Sequence, residues 1–198
     1  MMSTIPDAMP APMTYEEYMR EGEVNLRYDI LDGVRCYHTN PTRRHQKMLL
    51  AIAEILRACA KISKTGKAYI APCDILIRRF PLRTRQPDVL FMSNARIAAN
   101  PPASDPAPLD PAPELVVEII SPSDSVGVLA AKLADYQRVG VQECWVVYPK
   151  DRSIEVLELS GEDIQSVGVY DSDAAFSSRA FPTLQLNVVD IFAETDNG

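Results

Sequence analysis

The chain has 198 residues, 46% of them hydrophobic, and a formal net charge of −7, which together predict a single domain with one substantial core. Its apolar runs are too short to cross a bilayer, and no basic segment followed by an apolar one begins the chain, so we expect a cytoplasmic protein with no membrane partner. The acidic balance excludes a protein that coats nucleic acid with its whole surface, although it leaves room for a local basic groove.

One domain without internal repeats is expected. Residues 1–13 are rich in Pro and Met and are expected to be disordered or loosely packed, whereas residues 14–193 are expected to form the domain. The four cysteines are scattered and form no CxxC pair, which favours buried free thiols over a zinc site or disulfides; they are Cys36, Cys59, Cys73 and Cys144.

The first half of the chain predicts short elements around one long helix. Thr14 and Glu17 match the capping-box pattern at the start of a short helix. The pair Asp32-Gly33 is a strong hairpin signal. The further predictions are hairpin strands at 26–31 and 34–37, a helix at 42–63, one or two strands within 68–79 and a strand at 86–92.

The second half predicts a central strand and the helix after it. Residues 94–113, rich in Pro, Ala and Asp, predict a surface loop. Residues 114–120 are apolar on both alternating faces, which is typical of a strand buried from both sides. Ser123 or Asp124 is expected to cap the next helix, whose apolar stripe is Val126, Leu129, Leu133 and Tyr136. Strands follow at 143–148 and 153–159, then a turn and an edge strand within 161–171, and a strand and short helix within 184–192. The whole pattern predicts an α/β fold with a mixed sheet covered by helices.

Glu118 lies inside the predicted central strand, where an isolated carboxylate is costly. Burying such a charge alone costs several kcal/mol, so Glu118 must be protonated, paired or bound to a metal. Lys132 falls on the edge of the apolar stripe of the next helix, from which its long stem could reach back over the strand. Two interpretations stay open: a structural ion pair between Glu118 and Lys132, or a metal site.

Asp88 begins the predicted strand at 86–92, which could pair beside the strand of Glu118. Two adjacent carboxylates repel each other unless a cation lies between them. Magnesium binds one or two carboxylates and keeps several waters, which suits phosphate substrates. A nearby lysine can orient water or stabilise negative charge in the transition state. This combination predicts metal-assisted hydrolysis of a phosphodiester, although Asp88 taken alone fits a strand-start cap better than a metal ligand.

These residues carry a resemblance to a known family. Pro87-Asp88, Glu118 and Lys132 resemble the site of the PD-(D/E)xK restriction-endonuclease-like superfamily. More narrowly, segments in order across residues 13–192 are similar to the Uma-two family of bacterial endonucleases; they include MTYEEYM, RYDILDG, TRRHQ, APCDILI, QPDVLF, ELVVEIISPS and KLADYQRVGVQECWVV. The resemblance implies a restriction-endonuclease-like mixed central sheet flanked by helices.

The resemblance also implies the roles of the central residues. Asp88 and Glu118 would ligate magnesium, or manganese, with help from the Ile119 carbonyl. The simple motif places its lysine at position 120, where this chain has Ile120; Lys132 on the helix takes the place of that lysine.

Three further polar residues are accessory candidates. Asp29 matches a position where the family usually has glutamate, so its reach is shorter, and an exposed hairpin position is the alternative. Asp74 is a second accessory acid, with a purely structural role as its alternative. His45 could line the same cleft or simply be a polar residue at a helix N-terminus.

Two groups of arginines are candidates for nucleic-acid binding. Arg78, Arg79, Arg83 and Arg85 lie just ahead of Asp88, and Arg43 and Arg44 begin the long helix. Arginine binds phosphate well, so these groups could flank the cleft and contact a nucleic-acid backbone. The alternative for the first group is a solvated hairpin tip.

The preferred function is a magnesium-dependent endonuclease acting on DNA in preference to RNA, and a homodimer is expected because members of the family are often dimeric. The alternative is a non-catalytic binding or assembly module that retains the nuclease fold. The short Asp29, Val34 where relatives often have an acid, and the acidic surface favour the alternative. A sugar- or nucleotide-binding enzyme is not supported, because the chain has no Gly-rich phosphate loop.

Overall fold

The computed structural model describes residues 11–100, 107–121 and 124–193. Its helices are α1 (Tyr15–Glu21), α2 (Arg43–Ser63), α3 (Asn94–Ala99), α4 (Val126–Arg138) and α5 (Val188–Phe192). Its strands are β1 (Tyr28–Leu31), β2 (Val34–Tyr37), β3 (Gly66–Ile70), β4 (Ile75–Arg78), β5 (Arg83–Arg85), β6 (Val89–Ser93), β7 (Leu115–Ile119), β8 (Glu143–Tyr148), β9 (Ser153–Glu158), β10 (Gln165–Tyr170), β11 (Ala175–Ser177) and β12 (Gln185–Asn187). Of residues 1–13, which were predicted to be disordered or loosely packed, residues 1–10 lie outside the described residues. The end of that segment is held in place, because the Met13 N–H donates to the Gly33 carbonyl at 2.9 Å.

The larger sheet has six strands in the order β10-β9-β8-β7-β6-β3. Strands β7 and β8 are parallel, and the other neighbours are antiparallel. Parallel neighbours need a crossover connection, and α4 lies in the segment that makes this crossover. Helices cover the sheet on both faces, so the predicted fold, a mixed α/β sheet flanked by helices, is confirmed.

The two faces of β7 belong to different cores. Val117 packs in the cluster that contains the buried face of α2, and Val116 packs in the cluster that contains Leu133 of α4. Successive side chains of a strand point to opposite faces. Glu118 therefore shares the face of Val116 and lies under α4.

Helix α2 supports the opposite face. The Thr42 side chain accepts from the His45 N–H at 3.2 Å and caps the helix, which begins where the sequence predicts. Lys64, in the left-handed region at φ 54°, ends it. Gly66 begins β3, where a Cβ atom would lie only 2.1 Å from the Met92 carbonyl oxygen. The buried stripe of the helix is Met48, Leu49, Ile52, Ala53, Leu56 and Ala60.

The smaller sheet has four strands in the order β2-β1-β5-β4 and a hydrophobic cluster of its own, which includes Tyr28 and Ile30. Strand β5 ends at Arg85 in this sheet, whereas β6 begins at Val89 in the larger one. Residues 86–88 therefore connect the two sheets. Asp88 consequently lies at the junction between them.

Two predictions of local structure were wrong. Residues 94–99 form helix α3 rather than loop, with the Ser93 hydroxyl accepting from the Arg96 N–H at 3.3 Å. The six residues favour a helix by themselves, but the Pro-rich residues after them dominate the composition of the window.

The start of α4 also differs from the prediction. Ser125 caps the helix, because its side chain accepts the Val128 N–H. The predicted caps were Ser123, which lies outside the described residues, and Asp124. Val126 is 87% exposed, so the buried stripe begins one turn later, at Leu129.

Burial of the thiols is only partly as predicted, since Cys144 is buried but Cys36 is exposed. Within the described ranges no helix has the length and apolar character needed to span a membrane.

Candidate active site

Asp88 is fixed at the junction of the two sheets by the main chain of β7. Its N–H donates to the Val117 carbonyl at 3.1 Å, and its Oδ2 accepts the Ile119 N–H at 2.7 Å. The side chain therefore lies beside the end of β7, next to Glu118, and both residues are almost completely buried. The structure brings together the two acids that the sequence singled out.

Glu118 is bound by two side chains of α4. Lys132 Nζ donates to its Oε2 at 2.6 Å, and the Tyr136 hydroxyl donates to its Oε1. Lys132 and Tyr136 are four residues apart, which places them one above the other on the same face of the helix. The amine predicted to reach back over the strand does so.

The charges of these groups depend on one another. Burial, together with the negative charge of Asp88, raises the pKa of Glu118, and Lys132 opposes that rise. Burial disfavours the Lys132 ammonium, yet Glu118 and Asp29 raise its pKa above the ordinary value. Lys132 is therefore a charged amine within a cluster of carboxylates.

Asp88 is held as a carboxylate. Burial opposes its ionisation, but contacts with His45, Arg27 and the Ile119 N–H keep its pKa below the ordinary value. Arg27 Nη2 lies 2.8 Å from Oδ1, and His45 Nε2 lies 3.3 Å from Oδ2. His45 thus lines the cluster, as one of its two interpretations predicted. Its Nδ1 is buried and has no hydrogen-bond partner among the described residues.

Asp29 reaches the same cluster from β1. It is buried, which overturns the exposed alternative. Its Oδ2 accepts from Arg85 Nη1 at 2.8 Å, and its Oδ1 accepts the Gln86 N–H at 3.0 Å. Burial opposes its ionisation, but His38, Lys132 and Arg85 hold its pKa at about 2.

Known proteins share both the sequence pattern and the fold of this chain. The Uma2 family model, described as "Putative restriction endonuclease", matches residues 14–189. The chain belongs to the Uma2 family. This confirms the resemblance to the Uma-two family drawn from the sequence segments.

The fold of this Uma2 chain is similar to that of a solved structure, "a putative nuclease belonging to DUF820" from Anabaena variabilis. That protein is 19% identical, the match covers 93% of this chain and 99% of that one, and the TM-score is 0.73. No protein with a curated description matches the chain. The family description supports a nuclease, and the solved structure supports the fold.

Asp74 lies apart from the metal-ligand candidates of this Uma2 chain. Its Oδ2 accepts from the Tyr18 hydroxyl at 2.6 Å, and burial raises its pKa. Thr84, Gln86 and the charge of Asp29 also act on it, so Asp74 belongs to the polar network of the smaller sheet. This placement favours the structural interpretation of Asp74.

The arginines before Asp88 are not a single exposed group. Arg85 is 2% exposed and donates to both Asp29 and Asp135, which corrects the expectation that it would contact nucleic acid. Arg83 donates from Nε to both carboxylate oxygens of Asp135, at 2.9 and 2.8 Å. Arg78 is bound to Asp32.

Three of the candidate arginines are exposed, one from the first group and two from the second. Arg79 is largely exposed at the tip of the β4–β5 hairpin, over the ring of Tyr15. Arg43 and Arg44 are exposed in the first turn of α2, next to His45, and Arg44 Nη2 donates to the Pro149 carbonyl at 2.6 Å. These three remain candidates for contact with a nucleic-acid backbone.

Sequence reasoning missed Arg27, His38 and Asp135. Arg27 and Asp88 are separated by 61 residues, so only the fold joins them. Asp135 did carry a signal, because an acid directly before Tyr136 lies at the buried side of an amphipathic helix.

The donor set fits a hard divalent cation. Asp88 and Glu118 supply carboxylate oxygens, and the Ile119 peptide borders them. Among the described residues, no three His, Cys, Asp or Glu side chains form a metal-binding cluster by themselves. Magnesium and manganese suit this arrangement, because magnesium needs only one or two carboxylates and retains several waters.

Proposed function

We propose that this Uma2 chain is a cytoplasmic, magnesium-dependent endonuclease that hydrolyses phosphodiester bonds of DNA. The observation that carries the proposal is the convergence of Asp88, Glu118 and Lys132 at one junction between the two sheets. Family membership and the nuclease-like fold support the reaction class.

Asp88, Glu118 and the Ile119 carbonyl would hold the magnesium or manganese ion. A divalent ion bound there supplies a Lewis acid and lowers the pKa of a bound water. The chain itself orients the ligands: the Ile119 N–H fixes Asp88, and the Tyr136 hydroxyl fixes Glu118.

Lys132 would stabilise the charge that develops on the cleaved phosphate. Its ammonium lies 2.6 Å from Glu118 and is enclosed by the side chains around it, where a fixed positive charge acts more strongly than it would in water. His45, which lies against Asp88 with its Nδ1 unpartnered among the described residues, would hold or pass a proton. Arg43, Arg44 and Arg79 would bind the DNA backbone.

A homodimer is part of the proposal. Strand β10 is one of the two edge strands of the larger sheet, and its Val167 and Val169 are exposed. An exposed apolar strand edge is a ready site for pairing with a second chain.

A non-catalytic binding or assembly module is the second candidate, and one observation favours it. Asp88 and Glu118 already have cationic partners, Arg27 and Lys132, so the buried charges are compensated without a metal. If millimolar magnesium and manganese both fail to bind in a calorimetric titration, this candidate is preferred.

Cleavage of supercoiled plasmid DNA, with a structured RNA in parallel, tests the first proposal. We expect cutting with magnesium or manganese and none with a chelator. Asp88→Asn and Glu118→Gln should each lower the rate about a hundredfold or more, because each removes a metal ligand. Glu162→Gln, the same chemical change at an exposed turn, is the control. Undiminished cutting by both site variants would sink the assignment, and cutting of RNA alone would correct the substrate.

A further inference from the structure

The two oxygens of Asp88 are held in different ways. Oδ2 accepts the main-chain N–H of Ile119 at 2.7 Å, a donor whose position is fixed by β7, and His45 Nε2 lies 3.3 Å from the same oxygen. Oδ1 is bound by Nη2 of Arg27 at 2.8 Å, a contact that depends on a side chain alone. The partner of Oδ1 can therefore be exchanged while the strand stays in place.

Arg27 has a further donor that the described residues do not satisfy. Its Nε is buried and has no hydrogen-bond partner among them. A buried N–H without an acceptor is unfavourable by about 1–3 kcal/mol, so an incoming acceptor is favoured at this position. Phosphate oxygens, like carboxylate oxygens, match the fork of donors on the planar guanidinium.

The balance of charge and the exposure of the side chains indicate which resident cationic side chain would move away when a divalent ion binds. The charges of the site already balance, because four buried carboxylates are paired with four cations. The carboxylates are Asp29, Asp88, Glu118 and Asp135, and the cations are Arg27, Arg83, Arg85 and Lys132. A divalent ion would add two positive charges to a buried site, which is costly unless a resident cation moves away. The side chain of Arg27 is 21% exposed, against 12% for Lys132 and 3% for Arg85, so Arg27 can move most easily to solvent.

On the basis of the proposed function, we infer that Arg27 is a phosphate-binding residue. It holds Asp88 in the ion-free protein and exchanges that carboxylate for a phosphate oxygen of the nucleic acid when a divalent cation takes Asp88. The same guanidinium thus competes with the ion and assists the substrate.

Calorimetric titration of the full chain with Mn²⁺ tests the competition. Arg27→Gln should bind Mn²⁺ about tenfold more tightly than the wild type, because Asp88 loses a competing cation. Arg27→Lys keeps the charge and should match the wild type. Arg35→Gln is the matched control, since Arg35, on β2 of the smaller sheet, is also an ion-paired arginine but binds Glu21 instead of Asp88.

Fluorescence anisotropy with a short DNA duplex tests the second half of the inference. Ca²⁺ replaces Mn²⁺ here, because it is a hard cation that also takes oxygen ligands. Arg27→Gln should weaken duplex binding about tenfold, and Arg27→Lys about threefold, because lysine cannot form the paired contacts of a guanidinium. Arg35→Gln should bind like the wild type.

The outcomes separate this inference from the proposed function. Unchanged or weaker Mn²⁺ binding by Arg27→Gln, in a series where the wild type binds the ion, overturns the inference alone. Absence of ion binding to every variant overturns both. Should Arg27→Gln fail to fold, Arg27→Lys decides: weakened duplex binding supports the inference, and unchanged binding overturns it.

Discussion

At the scale of single residues, the candidate site consists of buried carboxylates whose oxygens each have a defined donor. Glu118 shows this best, with Lys132 on Oε2 and the Tyr136 hydroxyl on Oε1. If Glu118 binds the proposed ion, such contacts would orient it before the ion arrives, and losing an outer-shell partner of this kind typically lowers metal affinity about 10- to 100-fold. Under the proposed function, Tyr136 would therefore be a positioning residue for Glu118.

Tyr136→Phe should weaken Mn²⁺ binding about tenfold or more and destabilise the fold by about 1–3 kcal/mol, because Glu118 keeps a buried oxygen without its donor. Titration calorimetry and urea unfolding measure the two effects. Tyr148→Phe is the matched control, since its hydroxyl donates to Glu155 at 3.1 Å outside the site. Equal ion affinities for the two variants would contradict the positioning role.

At the scale of elements, the site is assembled by ion pairs that cross from one sheet to the helix of the other. Arg85 at the end of β5 donates to Asp29 on β1 and to Asp135 on α4. Asp135 lies next to Tyr136 and one turn from Lys132, so this contact sets the position of the helix that carries both. The smaller sheet thus controls the geometry around Glu118.

Arg85→Met should lower the free energy of unfolding by about 3–5 kcal/mol, because it removes the arginine paired with the buried Asp29 and one of the two arginines paired with Asp135. Arg179→Met, which removes a mostly exposed pair with Glu158, should cost less than about 1 kcal/mol. Urea unfolding of both variants gives the comparison. If the two changes cost the same, Arg85 does not hold α4 in the way described.

The elements that could be predicted from the sequence are those specified by local patterns. The capping box at Thr14, the hairpin at Asp32-Gly33 and the cap of α2 at Thr42 each depend on a few adjacent residues. Helix α3 could not be predicted in the same way, because the Pro-rich residues after it conceal a short helix within the window.

The site was predictable where one residue looked out of place in its element. The contact between Glu118 and Lys132 could be predicted from two things alone. These are the hydrophobic periodicity of the strand and helix that carry them, and the length of the lysine side chain. The contacts of Asp88 with Arg27, and of Arg85 with Asp29, join residues more than fifty positions apart. No local pattern encodes such pairs, which is why Arg85 was assigned to the surface.

At the scale of the whole molecule, two sheets meet at residues 86–88 and enclose a set of compensated charges. Asp29 reports on this junction, because its pKa of about 2 lies below its ordinary value of 3.8. A lowered carboxyl pKa stabilises the fold at any pH above about 4, and that contribution disappears as the pH falls towards 2.

Asp29→Asn should therefore be most destabilising at neutral pH. Its deficit in unfolding free energy relative to the wild type should shrink by about 2 kcal/mol between pH 5 and pH 2, which follows from the shift in pKa. Urea unfolding at a series of pH values measures it. Asp163→Asn, in the exposed turn before β10, controls for the loss of one carboxylate. A deficit that stays constant with pH would show that the neighbours of Asp29 do not lower its pKa.

The pairing of every central carboxylate with a resident cation separates folding from metal occupancy. Zinc fingers collapse when their ion is extracted, because the ion itself holds the chain together. Here Arg27, Lys132 and Arg85 neutralise the acids from within. Under the proposed function, a chelating agent should therefore abolish DNA cleavage without unfolding the protein. Adding the ion back should restore cleavage without any refolding step.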